Sequence, residues 1–147
     1  MNWRFQGANG MGRFSVEFEV ANDFDLMKAQ EGLLESAKVR RLLIKGLVDP
    51  GATRLVLPES VVKKLGLPVT GKITVRYADR RKAIRNTVDR VHVELLGRTS
   101  TFKAMIEPRR KTALIGAIVL EDLDFLVDCA RQRLVPRDPK YIISEIE

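Results

Sequence analysis

Phe14-Ser-Val-Glu-Phe-Glu-Val20 alternates apolar and polar residues without exception. A period of two is the pleat of a half-buried strand, so Phe14, Val16, Phe18 and Val20 share one face and need a core against it. The pattern returns at short intervals. Ile73, Val75 and Tyr77 alternate with Lys72, Thr74 and Arg76, Val91, Val93 and Leu95 flank His92 and Glu94, and Phe102, Ala104 and Ile106 alternate again. Further apolar extended stretches are 39–48, 55–57, 82–88, 113–116 and the pair 125–127 and 133–135. Turn chemistry separates them at Asp49-Pro-Gly51, 78–81, 97–100 and 108–110. Many short strands at turn spacing imply an all-β, closed barrel-like domain. Two short helices are expected within it: 59–65, with Pro58 before it and Gly66 stopping it, and 117–123. The charged connection 21–37 has room for a short helical turn.

A length of 147 residues is that of one domain. Residues 1–12 read as a loose leader, 13–137 as the domain, and 138–147 as an amphipathic tail, either a helix or a strand at a dimer interface. A hydrophobic content of 45% excludes a disordered chain, and a single cysteine excludes a disulfide scaffold. No apolar run is long enough to span a bilayer, and the first residues carry no secretory signal, so the expected location is the cytoplasm, without a membrane partner.

The net charge of +7 is concentrated in three clusters, at 38–41, 76–90 and 109–111. Nucleic-acid modules interleave such clusters with aromatics for stacking, and here Tyr77 is the one aromatic among them. Solvated hairpin tips and loops therefore explain the charge better than a nucleic-acid partner does, and acidic peptide substrates are a further possibility. No cofactor motif is present, and one histidine with one distant cysteine makes no metal site. Cys129, between apolar neighbours, reads as a buried thiol.

The segment richest in chemistry is Leu47-Val-Asp-Pro-Gly-Ala-Thr53. An apolar strand delivers Asp49 into a Gly-containing turn, and a second apolar strand leaves it. This suits a carboxylate held rigidly at the floor of a cleft. The segment resembles the Asp-Thr/Ser-Gly-Ala loop of retropepsin-like aspartic proteases, with Asp49, Gly51 and Ala52 on matching positions. Leu114-Ile-Gly116 followed by a short helix resembles the family's second landmark, which crosses behind the catalytic loop. Tyr77, Ala78, Asp79, Arg80 and Arg81 fall where the family carries its flap hairpin. The resemblance spans residues 12–137 in order.

The resemblance implies a homodimeric endopeptidase acting on peptide or protein substrates, with one aspartate from each subunit. The count of motifs agrees: this chain carries one Asp-x-Gly, and Asp128 lacks the following glycine. Two Asp49 carboxylates ~3 Å apart would hold a proton between them, one acting as base on a water and the other donating to the scissile carbonyl. Pro50 is the departure. It stands where the family has Thr or Ser, whose hydroxyl bonds across the dimer axis, and proline offers neither hydroxyl nor N–H. A second reading is therefore a peptide-binding or regulatory dimer of the same fold without turnover, and a third is a basic nucleic-acid-binding β-barrel. Thr53 is either part of the active-site loop or an ordinary loop residue. Tyr77 either covers substrate or packs on the core.

Overall fold

The computed structural model describes residues 13–147, so the leader expected over 1–12 lies outside the described residues. The elements run β1 (Ser15–Asn22), α1 (Asp23–Gln30), a 3-10 turn (Ser36–Lys38), β2 (Arg41–Val48), β3 (Leu55–Pro58), α2 (Glu59–Leu65), β4 (Val69–Arg76), β5 (Lys82–Leu95), β6 (Arg98–Glu107), β7 (Ala113–Ile115), α3 (Ala117–Asp122), β8 (Phe125–Asp128) and β9 (Arg133–Pro136). Pairing runs β1–β2–β7–β3–β6–β5, and β5 pairs back onto β1. These six strands close into a barrel, which leaves them no free sheet edge. β4 extends the sheet outward from β5, and β8 with β9 forms a separate hairpin.

The alternating residues fill the barrel. Phe14, Phe18, Val20, Val93, Leu95, Phe102, Ala104 and Ile106 are all buried in one cluster, with Val16 packed at its margin. α2 contributes Val61, Val62 and Leu65 and ends at Gly66 in the left-handed region, φ 67°, where glycine carries no steric penalty.

The sequence pattern over 82–95 reads as two strands, but the structure has one. Val88 and Val91 are both fully buried although three residues apart, a spacing that breaks a period of two. A bulge between them, with Arg90 at φ 63°, shifts the phase and keeps both inward. The bulge also bends the strand: its first half forms the outer hairpin with β4, and its second half closes the barrel on β1. The connection 21–37 holds a full eight-residue helix, α1, whose N-cap Asn22 accepts from the Asp25 N–H at 3.1 Å.

The tail is neither helix nor strand in the isolated chain. Arg98 donates to the carbonyls of Asp138 and Tyr141, and Arg137 to the Ile143 carbonyl at 2.8 Å. Buried Asp124 takes Arg137 at 2.8 Å and the Ile143 N–H at 3.0 Å. Backbone groups of the tail are thus met by side chains, while Tyr141 and Ile146 remain exposed. Cys129, expected to be buried, is half-buried at the edge of the core.

Candidate active site

β7 lies between β2 and β3, parallel to the first and antiparallel to the second. The chain must therefore leave β2, pass the end of β7 and return as β3, and this passage is the 49–54 loop. The Asp49 N–H donates to the Ile115 carbonyl at 3.0 Å, continuing the β2–β7 ladder one residue past β2. The Ala52 N–H closes a turn on the Asp49 carbonyl at 3.1 Å. From beneath, the first N–H groups of α3 hold the loop: Ala117 donates to the Ala52 carbonyl at 2.8 Å and Ile118 to that of Thr53 at 3.0 Å.

Gly116 permits this close approach. A Cβ there would stand 2.4 Å from the Arg54 carbonyl oxygen and 2.8 Å from that of Ala52, closer than side-chain carbons come to backbone oxygens. The short strand Ala113–Ile115 and its glycine thus brace the loop, with Ile115 in the core and Leu114 half-buried toward the cleft.

Asp49 is 8% exposed. Its Oδ1 accepts from the Gly51 N–H at 3.0 Å, and the Arg13 guanidinium stands 3.8 Å away. Its Oδ2 has no hydrogen-bond partner among the described residues. One oxygen is fixed and the other is available, which suits a group that must exchange a proton. Pro50 is half-buried and donates nothing to the carboxylate, whose backbone donor is one residue further on.

Above the loop the β4–β5 hairpin turns at residues 78–81, closed by the Tyr77 N–H to the Arg81 carbonyl and the Arg80 N–H to the Tyr77 carbonyl, each 2.9 Å. Tyr77 neither sits in the core nor hangs free. Its hydroxyl donates to Glu107 at 2.7 Å, and Arg85 donates to the other oxygen of Glu107 at 2.9 Å. The Arg81 and Arg85 guanidinium groups stack over the tyrosine ring at 4.9 and 5.8 Å. Burial first, and then the bond to Glu107, push the pKa of this hydroxyl up, so it stays a hydrogen-bond donor at neutral pH.

Loop and hairpin enclose a cleft of about 1220 Å³, larger than the usual small-molecule site and fit for a chain segment. Asp49, Gly51, Ala52 and Thr53 line it with Tyr77, Ala78, Arg81 and Leu114, so residues up to 65 positions apart meet around one space. Pro50 is not among the lining residues, Asp79 and Arg80 sit on the exposed hairpin tip, and Ile115 and Gly116 lie behind the loop.

Glu107 and Arg85 had no sequence signal as members of this site. Glu107 follows the inward-facing Ile106 on β6, and its bond to Tyr77 spans 30 residues. Arg109 and Arg110 were visible as charge, but as loop residues; they line the cleft with Arg13 and Arg54. Among the described residues no group of three or more His, Cys, Asp or Glu side chains is placed to hold a metal ion.

The sequence model of a family described as aspartyl protease matches residues 36–127, which contain the loop, the hairpin and the Leu114–Gly116 brace. The structure of EIAV protease in complex with the inhibitor HBY-793 is similar to this one, with a TM-score of 0.52 and 16% identity, over 78% of this chain and 91% of that chain. At that identity the likeness is one of fold, the closed retropepsin-like barrel. No curated protein sequence matches the chain, and no helix among the described residues is long and apolar enough to cross a membrane.

Proposed function

The chain belongs to the aspartyl protease family, and from that premise we propose that it is an aspartic endopeptidase in which two copies each supply Asp49 to one shared site. The observation that carries the reading is the state of that carboxylate: buried at a strand end, oriented through Oδ1, without a partner at Oδ2 among the described residues, and lining a cleft of peptide size. One chain brings one such group, so the second must come from a second copy. Two carboxylates ~3 Å apart then hold one proton between them. The unprotonated one takes a proton from water as the water oxygen attacks the scissile carbonyl carbon, and the protonated one donates to the carbonyl oxygen. The tetrahedral intermediate collapses by breaking the C–N bond as the nitrogen accepts a proton. The 77–81 hairpin would act as the flap over the substrate, and exposed Tyr141, Ile142, Ile143 and Ile146 of the tail would be covered in the dimer.

The test is turnover of a diverse peptide library from acidic to neutral pH, with Asp49→Asn as control. The expected loss is about 10³-fold or more, and cleavage that survives the substitution would overturn the reading. Pro50 favours a second reading, a dimer of the same fold that binds peptides without cutting them. It predicts binding without turnover, and turnover gained in Pro50→Thr.

A further inference from the structure

We propose that the cleft selects peptides rich in Asp and Glu, whose carboxylates are held by arginines around Asp49; the proposal rests on the endopeptidase reading for the kind of molecule that occupies the cleft. Six arginines carry the argument. Arg13 and Arg54 stand by the floor loop, Arg81 and Arg85 on the hairpin, and Arg109 and Arg110 in the connection from β6 to β7. On the hairpin, Ile73 pairs with Arg85 and Val75 with Ala83, so the face toward the cleft presents Arg85 and, four residues away at the turn, Arg81 opposite Tyr77. Arg76 also borders the cleft, but strand alternation sets it on the opposite face of β4 from Ile73 and Val75.

Three of these charges are compensated within the chain. Arg85 meets Glu107 at 2.9 Å, Arg81 meets Asp79 at 2.7 Å, and Arg13 stands 3.8 Å from Asp49. The other three have no carboxylate partner among the described residues. Arg110 donates to the carbonyl and hydroxyl oxygens of Thr112, at 2.9 and 3.3 Å, while Arg54 and Arg109 have no side-chain partner among the described residues. Each copy thus brings three uncompensated guanidinium groups to the walls of a concave site, where low-dielectric surroundings focus the field and concentrate anions. No lysine lines the cleft among the described residues. Arginine alone has the planar fork that matches the two oxygens of a carboxylate.

A nucleic acid would also be drawn to positive charge, but the cleft does not suit one. Among the described residues its one aromatic is Tyr77, whose ring already lies against Arg81 and Arg85 and whose hydroxyl is bound to Glu107, so it is engaged within the chain rather than presented to a base. Asp49 and Glu107 would in addition repel a continuous phosphate backbone. An extended peptide needs no stacking face, and its carboxylates, carried on side chains rather than on the main chain, can be directed to the arginines and away from Asp49 and Glu107. Its side chains alternate between two walls, so acidic residues spaced two apart reach the same group of arginines while the main chain passes Asp49.

Binding is measured first, on Asp49→Asn protein, so that the answer does not require turnover. The probes are three fluorescent peptides of one length, with Asp/Glu, Asn/Gln or Lys at the same alternate positions, and a single-stranded RNA matched in charge to the acidic peptide. The acidic peptide is expected to bind about tenfold or more tightly than its amide counterpart, the gap narrowing as salt rises. Adding Arg109→Glu and Arg110→Glu should remove the preference. Arg109→Gln alone, at an exposed position, should reduce it and guards against a folding defect, whereas Lys38→Glu, outside the cleft, should leave it intact. Equal affinity for acidic and amide peptides, or tighter binding of the RNA, overturns the proposal. If the acidic preference is present and wild-type protein cuts none of the peptides, this proposal stands and the endopeptidase reading falls. If wild-type protein cuts peptides but binding shows no acidic preference, the reverse holds.

Discussion

Two aspartates in this molecule are equally hidden and opposite in character. Asp25, on α1, and Asp49, after β2, are 4% and 8% exposed. Asp25 is saturated: its Oδ2 accepts from the Arg40 backbone N–H at 3.0 Å and from Arg40 Nε at 2.8 Å, and its Oδ1 from Arg40 Nη2 at 3.0 Å. Around it, Asn22 caps α1 and donates to the Leu65 carbonyl at the end of α2, at 2.8 Å. This carboxylate fastens α1 to the strand beside it and has nothing left to give. Asp49 holds one backbone N–H on one oxygen, and the other has no hydrogen-bond partner among the described residues. Burial alone therefore does not mark a reactive carboxylate; the unspent lone pairs do.

The largest stability effect should come from the brace beneath Asp49. Gly116→Ala puts a Cβ into backbone oxygens of the 49–54 loop, which cannot yield as a side chain would. It should cost about 3 kcal/mol in denaturant unfolding and abolish turnover with it. A fully active, equally stable variant would show that the loop is not pinned by this contact.

Asp25→Ala should cost about 2 kcal/mol, while Asp49→Asn should change stability by less than about 0.5 kcal/mol. If the two substitutions cost the same, the contrast between a spent and an unspent carboxylate fails. The same contrast has a pH signature. The hydrogen bonds from Arg40 hold the Asp25 pKa down to about 2, below its ordinary 3.8. A group depressed in the folded state stabilises fully above its unfolded value and loses that contribution as pH falls through the folded one. Thermal unfolding should therefore show a loss of stability from about pH 4 down to about pH 2 that is diminished in Asp25→Ala.

The smallest expected effect is at the hairpin. Tyr77→Phe deletes the hydroxyl bound to Glu107 but keeps the ring beneath the arginines, so stability should fall by about 0.5–1 kcal/mol. Hydrogen exchange across 72–85 should quicken more than in the barrel strands. Uniform exchange in both proteins would mean that Glu107 does not hold the hairpin.

Much of this was legible in the chain. Alternation assigned the buried faces of β1 and β6 and the half-buried face of β4 that lines the cleft, because neighbouring side chains on a pleat point opposite ways whatever the strand pairs with. Proline before α2 and glycine after it marked that helix, and the apolar strand running into Asp49-Pro-Gly51 marked the floor loop. The one-residue phase shift between Val88 and Val91 was visible too, but it reads as an interruption until β4, β6 and β1 are seen to pair on both sides of it.

The remaining features depend on partners distant in sequence. Tyr77 meets Glu107, Gly116 supports Ala52 and Arg54, and Arg109 joins Arg54 at the cleft only because β7 threads between β2 and β3 and the barrel closes β5 onto β1. Local periodicity and turn chemistry are properties of adjacent residues, so the sequence by itself determined which faces are apolar, where the chain turns, and that an aspartate ends a buried strand. Which charges are compensated and which are left free is a property of the closed structure. It is set by long-range pairing, which ties Asp25 to Arg40 and leaves one oxygen of Asp49 without a partner among the described residues, in a cleft lined by arginines.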